Sequence, residues 1–241
     1  RVVSSSSLSG GGGSGGDREL MNDQWLRVLA ALERDIVHYD DDPAPGEGLA
    51  ILTGQRRVLI SAPHATRHLR DRAWKREDEY TAAMAHWLHD QAGAYKETLQ
   101  ALVEAHDIRL VLDLHGARGD RDFGLALGTI LGVSCTPYER VIIAAFEALG
   151  FRREGAPSSL DRLAVNLSRY AGGTHRPTVT RFVWQRLGVA AMQIEINAWA
   201  RIVERLPSAY AARRGIAPQF RGEPQRITRV LAALARIVDE V

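Results

Sequence analysis

The chain has 241 residues, 45% of them hydrophobic and 25% charged, with 31 basic against 29 acidic side chains and a formal net charge of +2 at pH 7. That near-balance, spread along the chain, leaves no electrostatic footprint for nucleic acid or an anionic membrane, and the single cysteine, Cys135, excludes an internal disulfide framework. No apolar run approaches the roughly 18 residues of a spanning helix or follows a signal-peptide pattern, so a cytoplasmic protein with small solutes as partners is expected.

Residues 1–16, RVVSSSSLSGGGGSGG, offer almost nothing to bury and read as a flexible tail. Residues 17–241 are expected to form one α/β domain, long enough for a substantial core. Between Asp17 and Tyr39, Trp25, Leu29, Leu32 and Ile36 recur at the spacing of one helical face. Residues 40–48, DDDPAPGEG, stop that helix with prolines and glycines, and GLAILTG and QRRVLISAP then read as two strands about the Gly54-Gln55 turn. Pro63 ends the second strand, and His64 to Arg70 reads as a polar loop at its carboxyl end. A helix is expected from about Glu77 with Tyr80, Met84 and Trp87 or Leu88 buried, and another from Lys96 to His106 with Tyr95, Leu99, Leu102 and Val103 inward.

The next stretch organises the chain. Arg109 to Gly116, RLVLDLHG, is an apolar strand that ends in Asp113, His115 and Gly116. Strand side chains alternate with period two, so Asp113 and His115 share a face opposite Leu112 and Leu114. A loop at 117–122 and a strand at 123–129, FGLALGT, follow. Thr136-Pro137-Tyr138-Glu139 matches a capping box with proline at the first helical position, and Gly150 sits where a left-handed cap belongs. Residues 152–176 read as irregular and polar, including Gly172-Gly173 and His175. Pro177 then opens a helix carrying Val179, Phe182, Val183 and Leu187, and Gly188 closes it. In VAAMQIEIN, Met192, Ile194 and Ile196 alternate with Gln193, Glu195 and Asn197, a row of polar groups on an interior strand. The last helix, Gln225 to Val241, carries an apolar stripe from Ile227 to Val241.

This alternation of strands and helices predicts an α/β fold, a three-layer α/β/α sandwich about a mixed, mostly parallel sheet. Neither GxGxxG nor GxxxxGK[ST] follows a strand, which disfavours a nucleotide enzyme. Three strand ends carry residues that bind metals or protons: Pro63-His64, Asp113-Leu114-His115 and Gln193-Ile194-Glu195-Ile196-Asn197. Two imidazoles and one carboxylate make the ligand set of a catalytic zinc, which keeps a position for water. His64 and His115 would supply the imidazoles, and Glu77, Asp78 and Glu79 are the candidate carboxylates. That acidic triplet would equally suit the dipole of a helix N-terminus. His68, His86, His89 and His106 fall on polar surface positions. Glu195 stands out, because an interior carboxylate is costly to bury and its pKa would rise toward the range of a general base, unless it pairs with an arginine such as Arg201.

The run SAPHATRHLR, then EDEYT, then LDLHGARGDRDFGLALGT, then QIEIN followed by Arg201, resembles the N-formylglutamate amidohydrolase family, relatives of the zinc carboxypeptidases and aspartoacylases. The resemblance spans roughly Gly48 to Arg201. It implies a phosphorylase/hydrolase-like, zinc carboxypeptidase-like fold and one Zn2+ held by His64, Asp78 and His115, with Glu195 as base and proton shuttle and Glu79 the fallback for Asp78. Arg67 stands where carboxypeptidases proper carry a glutamate three residues after the first histidine, so the peptidase subgroup matches less well, and the join from His89 to Tyr95 is shorter than in the family.

The reaction so implied is cleavage of the amide of a small N-acyl amino acid such as N-formylglutamate by a water activated at zinc. Arg70, Arg118 and Arg201 are candidate clamps for a substrate carboxylate, since a guanidinium grips carboxylate in two-pronged geometry, and Asn197 is a further substrate-binding candidate. A carboxypeptidase-like or other acyl hydrolase is the alternative enzyme. An inactive metal-binding interaction module is the alternative from another class, against which an intact Glu195 speaks.

Overall fold

A computed structural model of the chain describes residues 26–33, 57–63, 68–70, 73–75, 78–87, 100, 103–174, 178–205 and 220–241. Helix α1, residues 26–33, lies inside the predicted 17–39 helix and buries Leu26, Leu29 and Ala30. Trp25, Ile36, the strand predicted at 48–54 and His175 lie outside the described residues.

The centre is a five-stranded sheet in the order β1-β4-β7-β5-β6. Its strands are β1 (Val58–Ser61), β4 (Leu110–Ala117), β5 (Leu125–Gly128), β6 (Leu163–Val165) and β7 (Ala190–Asn197). β1, β4 and β7 run parallel, β5 runs antiparallel to β7, and β6 runs parallel to β5. The fold is therefore α/β with a mixed, mostly parallel sheet. β2 (His68–Arg70) and β3 (Ala73–Lys75) form a separate antiparallel pair, as do β8 (Glu204–Arg205) and β9 (Phe220–Arg221).

Around the sheet lie α2 (Thr81–Trp87), α3 (residues 103–106), α4 (Glu139–Ala148), α5 (Val179–Phe182, continued as one π-helical turn Val183–Leu187) and α6 (Pro224–Glu240). Both faces of the central strands are buried, as continuous apolar runs in parallel strands demand. Leu110, Leu112, Leu114, Met192, Ile194 and Ile196 point to one face and share a core with Ile142 and Phe146 of α4 and Ile227, Leu231 and Leu234 of α6. The apolar stripe predicted for the last helix is that core-facing side.

Four local expectations fail, each for a physical reason. His68–Arg70 is strand, not loop, since three residues are too few to show alternation. α2 begins at Thr81 rather than near Glu77, because the Asp78 carbonyl takes both the Thr81 amide (3.1 Å) and its hydroxyl (2.6 Å), closing a turn instead of a helix. No capping box forms at α4, where Tyr138 is the N-cap and makes no side-chain cap bond. The Thr136 hydroxyl instead donates to the carbonyls of Gly132 and Val133 at 2.9 and 3.4 Å. Leu163–Val165, inside the stretch read as irregular, is the edge strand β6. Elsewhere the punctuation agrees: Gly150 and Gly188 take φ of +93° and +68°, the left-handed caps that end α4 and the α5 segment.

Candidate active site

Parallel pairing puts register partners side by side on one face, about 4.8 Å apart. Ser61, Asp113 and Gln193 form one row across β1, β4 and β7, and His115 and Glu195 form the next. The apolar alternation of β4 and β7 that buries the leucines and isoleucines thus delivers polar groups to the opposite face, at the carboxyl ends of three parallel strands. Open α/β sheets bind ligands there.

His115 stands between two carboxylates. Its Nε2 is 3.1 Å from Asp113 Oδ2 and its Nδ1 is 3.6 Å from Asp78 Oδ2. Asp113 is fully buried and accepts from the hydroxyls of Ser61 (3.4 Å) and Thr180 (3.3 Å), the latter supplied by α5. Burial alone would pull the His115 pKa down, but the charge and hydrogen bond of Asp113, the bond to Asp78 and the charge of Glu195 outweigh it and raise the pKa to about 10. The imidazole is thus held in an excess of negative charge, an environment suited to a cation.

Asp78 reaches His115 from a strained turn. Tyr80 has φ of +66°, the left-handed region that side chains with a Cβ disfavour. Its hydroxyl donates to the Glu204 carbonyl at 2.8 Å, and its amide donates to Glu33 of α1 at 2.6 Å. Arg201, 4% exposed, donates to the carbonyls of Glu79, Ile196 (3.3 Å) and Ala117 (3.5 Å), tying this turn to the ends of β4 and β7. Gly116 makes that approach possible, because a Cβ there would lie 2.6 Å from Arg201 Nη2 and 3.0 Å from Asp78 Cβ.

Glu195 is 8% exposed and accepts from Gln193 Nε2 at 2.7 Å. Tyr170, edge-on to Phe123 with ring centres 5.3 Å apart, has its pKa raised by burial, with the Arg121 charge lowering and the Glu195 charge raising it. Tyr170 thus feels the charges of both Arg121 and Glu195.

Of the sequence-predicted residues, the structure brings together Asp78, His115 and Glu195. His64, three residues beyond β1, lies outside the described residues, and Arg70 is placed in β2 with its side chain outside them. Arg118 is exposed, forming a two-pronged pair with Asp120 at 3.1 and 2.6 Å. The Asn197 amide donates to the Phe123 carbonyl (2.9 Å) and the Arg121 carbonyl (3.4 Å), and its oxygen accepts from the Trp199 amide (3.0 Å), so it shapes the adjoining loop. Glu79 contributes its backbone carbonyl. Sequence reasoning missed Thr180, Ser61, Glu33 and Arg121. The first three are isolated polar residues on elements read as apolar or loop, and no spacing marks them.

Among the described residues, no group of three or more His, Cys, Asp or Glu side chains is arranged to hold a metal ion. Two of the three predicted ligands are nevertheless in a fitting relation. Donors held at about 2.0–2.2 Å on a tetrahedral zinc stand about 3.4 Å apart, against 3.6 Å here between Asp78 Oδ2 and His115 Nδ1. The Asp113 carboxylate on the far ring nitrogen is the outer partner that metal-binding histidines ordinarily have.

Fold and site together define an α/β protein with a buried histidine–carboxylate centre at the carboxyl ends of its parallel strands. No protein-family model matches the chain, and no curated protein matches it. It is similar to the crystal structure of N-formylglutamate amidohydrolase from Ralstonia eutropha JMP134 at 15% identity and a TM-score of 0.35, over 60% of this chain and 49% of that one. The chain thus spans about half the length of that structure. Among the described residues, no helix is long and apolar enough to cross a membrane.

Proposed function

We propose that the chain is a zinc-dependent amidohydrolase that cleaves a small N-acyl amino acid, with N-formylglutamate as the type of substrate. The observation that carries the reading is the placement of Asp78 beside His115 at the carboxyl end of β4, with Glu195 the register partner of His115 on β7 and Asp113 on the other side of the imidazole. The family-like motifs point to the same three residues.

His115, Asp78 and His64 would hold the metal, which when bound supplies a Lewis acid for the acyl carbonyl and lowers the pKa of a water. Asp113, which accepts from the Ser61 and Thr180 hydroxyls, lies 3.1 Å from His115 Nε2, and Nδ1 on the other side of the ring is directed at Asp78. Glu195 takes the proton of the attacking water and returns it to the departing amine. Arg70 and Arg118 are candidates for a substrate carboxylate, and Arg121, whose charge reaches Tyr170 as that of Glu195 does, joins them. Arg201 and Asn197 act through the backbone they hold.

The test is metal analysis of the purified chain followed by hydrolysis of a panel of N-formyl, N-acetyl and N-succinyl amino acids. About one zinc per chain and turnover of an N-acyl amino acid support the reading. A preparation that neither holds nor regains zinc, or that is zinc-loaded and inert on the whole panel, refutes it.

A further inference from the structure

The Glu79–Tyr80 peptide group is gripped from both sides. Its N–H, on Tyr80, donates to Glu33 Oε1 at 2.6 Å, and its oxygen, on Glu79, accepts from Arg201 Nη1. Glu33 closes the described part of α1 and is 1% exposed; Arg201 is 4% exposed. A carboxylate buried this deeply is costly unless it is bonded, and here it bonds the amide of a residue at φ +66°. Such a backbone state persists only where the surroundings over-determine it. Tyr80 is restrained further by its hydroxyl on the Glu204 carbonyl and its own carbonyl on the Met84 amide, at 2.8 and 2.9 Å. Asp78 lies one residue before the gripped peptide, with its own carbonyl taken by Thr81.

We infer that Glu33 is a positioning residue: with Arg201 it fixes the plane of the Glu79–Tyr80 peptide and thereby sets the Asp78 carboxylate opposite His115. The inference rests on the reading of Asp78 and His115 as metal ligands. α1 is thus part of the site's support. Without the Glu33 acceptor the peptide can rotate, Tyr80 can relax toward negative φ, and Asp78 swings with it.

The test measures zinc affinity by chelator competition, and the visible spectrum of the cobalt(II)-substituted protein, in the full chain and its Glu33→Leu, Glu33→Gln and His115→Ala variants, with circular dichroism reporting the fold. Glu33→Leu keeps the volume and removes the acceptor. It should stay folded, bind zinc about 10–100-fold more weakly, as loss of an outer partner does, and show an altered cobalt spectrum. Glu33→Gln retains an acceptor oxygen and should restore affinity and spectrum. Wild-type affinity and spectrum in folded Glu33→Leu overturn the inference while leaving the metal reading intact, provided His115→Ala loses zinc. A wild-type chain that binds no zinc, or a His115→Ala variant that binds it undiminished, overturns both. Should Glu33→Leu fail to fold, Glu33→Asp replaces it. It stays polar but withdraws the acceptor by one methylene, so weakened zinc binding is again expected and wild-type binding again overturns the inference.

Discussion

The substitution Glu195→Gln separates chemistry from structure most cleanly. Gln193 Nε2 donates to Glu195 Oε1 at 2.7 Å, and a glutamine at 195 can place its carbonyl oxygen at that point and keep the bond. What is lost is one negative charge and one proton-accepting oxygen. The change in a hydrogen bond that is weakened rather than broken is worth about 1 kcal/mol or less of stability. Removal of a general base costs about 10²–10⁴ in turnover, or roughly 3–5 kcal/mol of barrier. The catalytic effect therefore exceeds the structural one by several fold in free energy. The assay is amine release from an N-formyl amino acid, per folded and zinc-loaded chain, with metal content and a thermal melt on the same sample. Undiminished turnover in the zinc-loaded variant refutes the base assignment. Loss of metal in parallel with activity would make Glu195 a ligand, and a lowered melting temperature with turnover preserved would make it half of a structural ion pair.

Further expectations follow from the same geometry. His115→Ala and Asp78→Ala should each lose zinc while Glu79→Ala keeps it, as read by metal analysis. Retention by Asp78→Ala with loss by Glu79→Ala would move the ligand one residue along. Asp113→Asn can turn its oxygen to His115 and its amide to the Ser61 hydroxyl, so the fold should survive while zinc affinity falls about 10–100-fold; unchanged affinity would deny Asp113 its orienting role. The His115 pKa is raised from the ordinary 6.5 to about 10, so its contribution to the stability of metal-free protein is full below pH 6.5 and is lost as pH rises through about 10. Thermal melts should decline across that window and His115→Gln should flatten the decline, while zinc affinity, which requires that proton to leave, should rise with pH. Asp161, bonded to Arg229, Arg226 and Ser158, has a pKa lowered to about 2 despite its burial. Its stabilisation is present above the ordinary carboxylate pKa and lost as pH falls through about 2, and Asp161→Asn should cost about 2 kcal/mol in denaturant titration with zinc binding untouched.

The sequence by itself determined the elements whose periodicity is long or whose punctuation is unambiguous. The eight residues of β4 and the eight of β7, the stripe of α6 and the glycine stops at 150 and 188 stand where their patterns put them. The alternation that buries Leu112 and Ile194 necessarily sends Asp113, His115 and Glu195 to the other face, so a polar row on the central strands was legible before any coordinates. That β4 and β7 are neighbours in the register pairing His115 with Glu195 was not, because strand order and register depend on long-range pairing that no local window contains. Short or irregular elements were equally hidden. β6 and the β2–β3 pair have three residues per strand, and the turn carrying Asp78 is shaped by Thr81, Glu33, Glu204 and Arg201, which come from three separate parts of the chain. Arg201 reads in sequence as a free cation for substrate, yet in the fold its donors meet three backbone carbonyls. Buried donors and acceptors must find partners wherever the chain supplies them, and only the tertiary structure decides which ones those are.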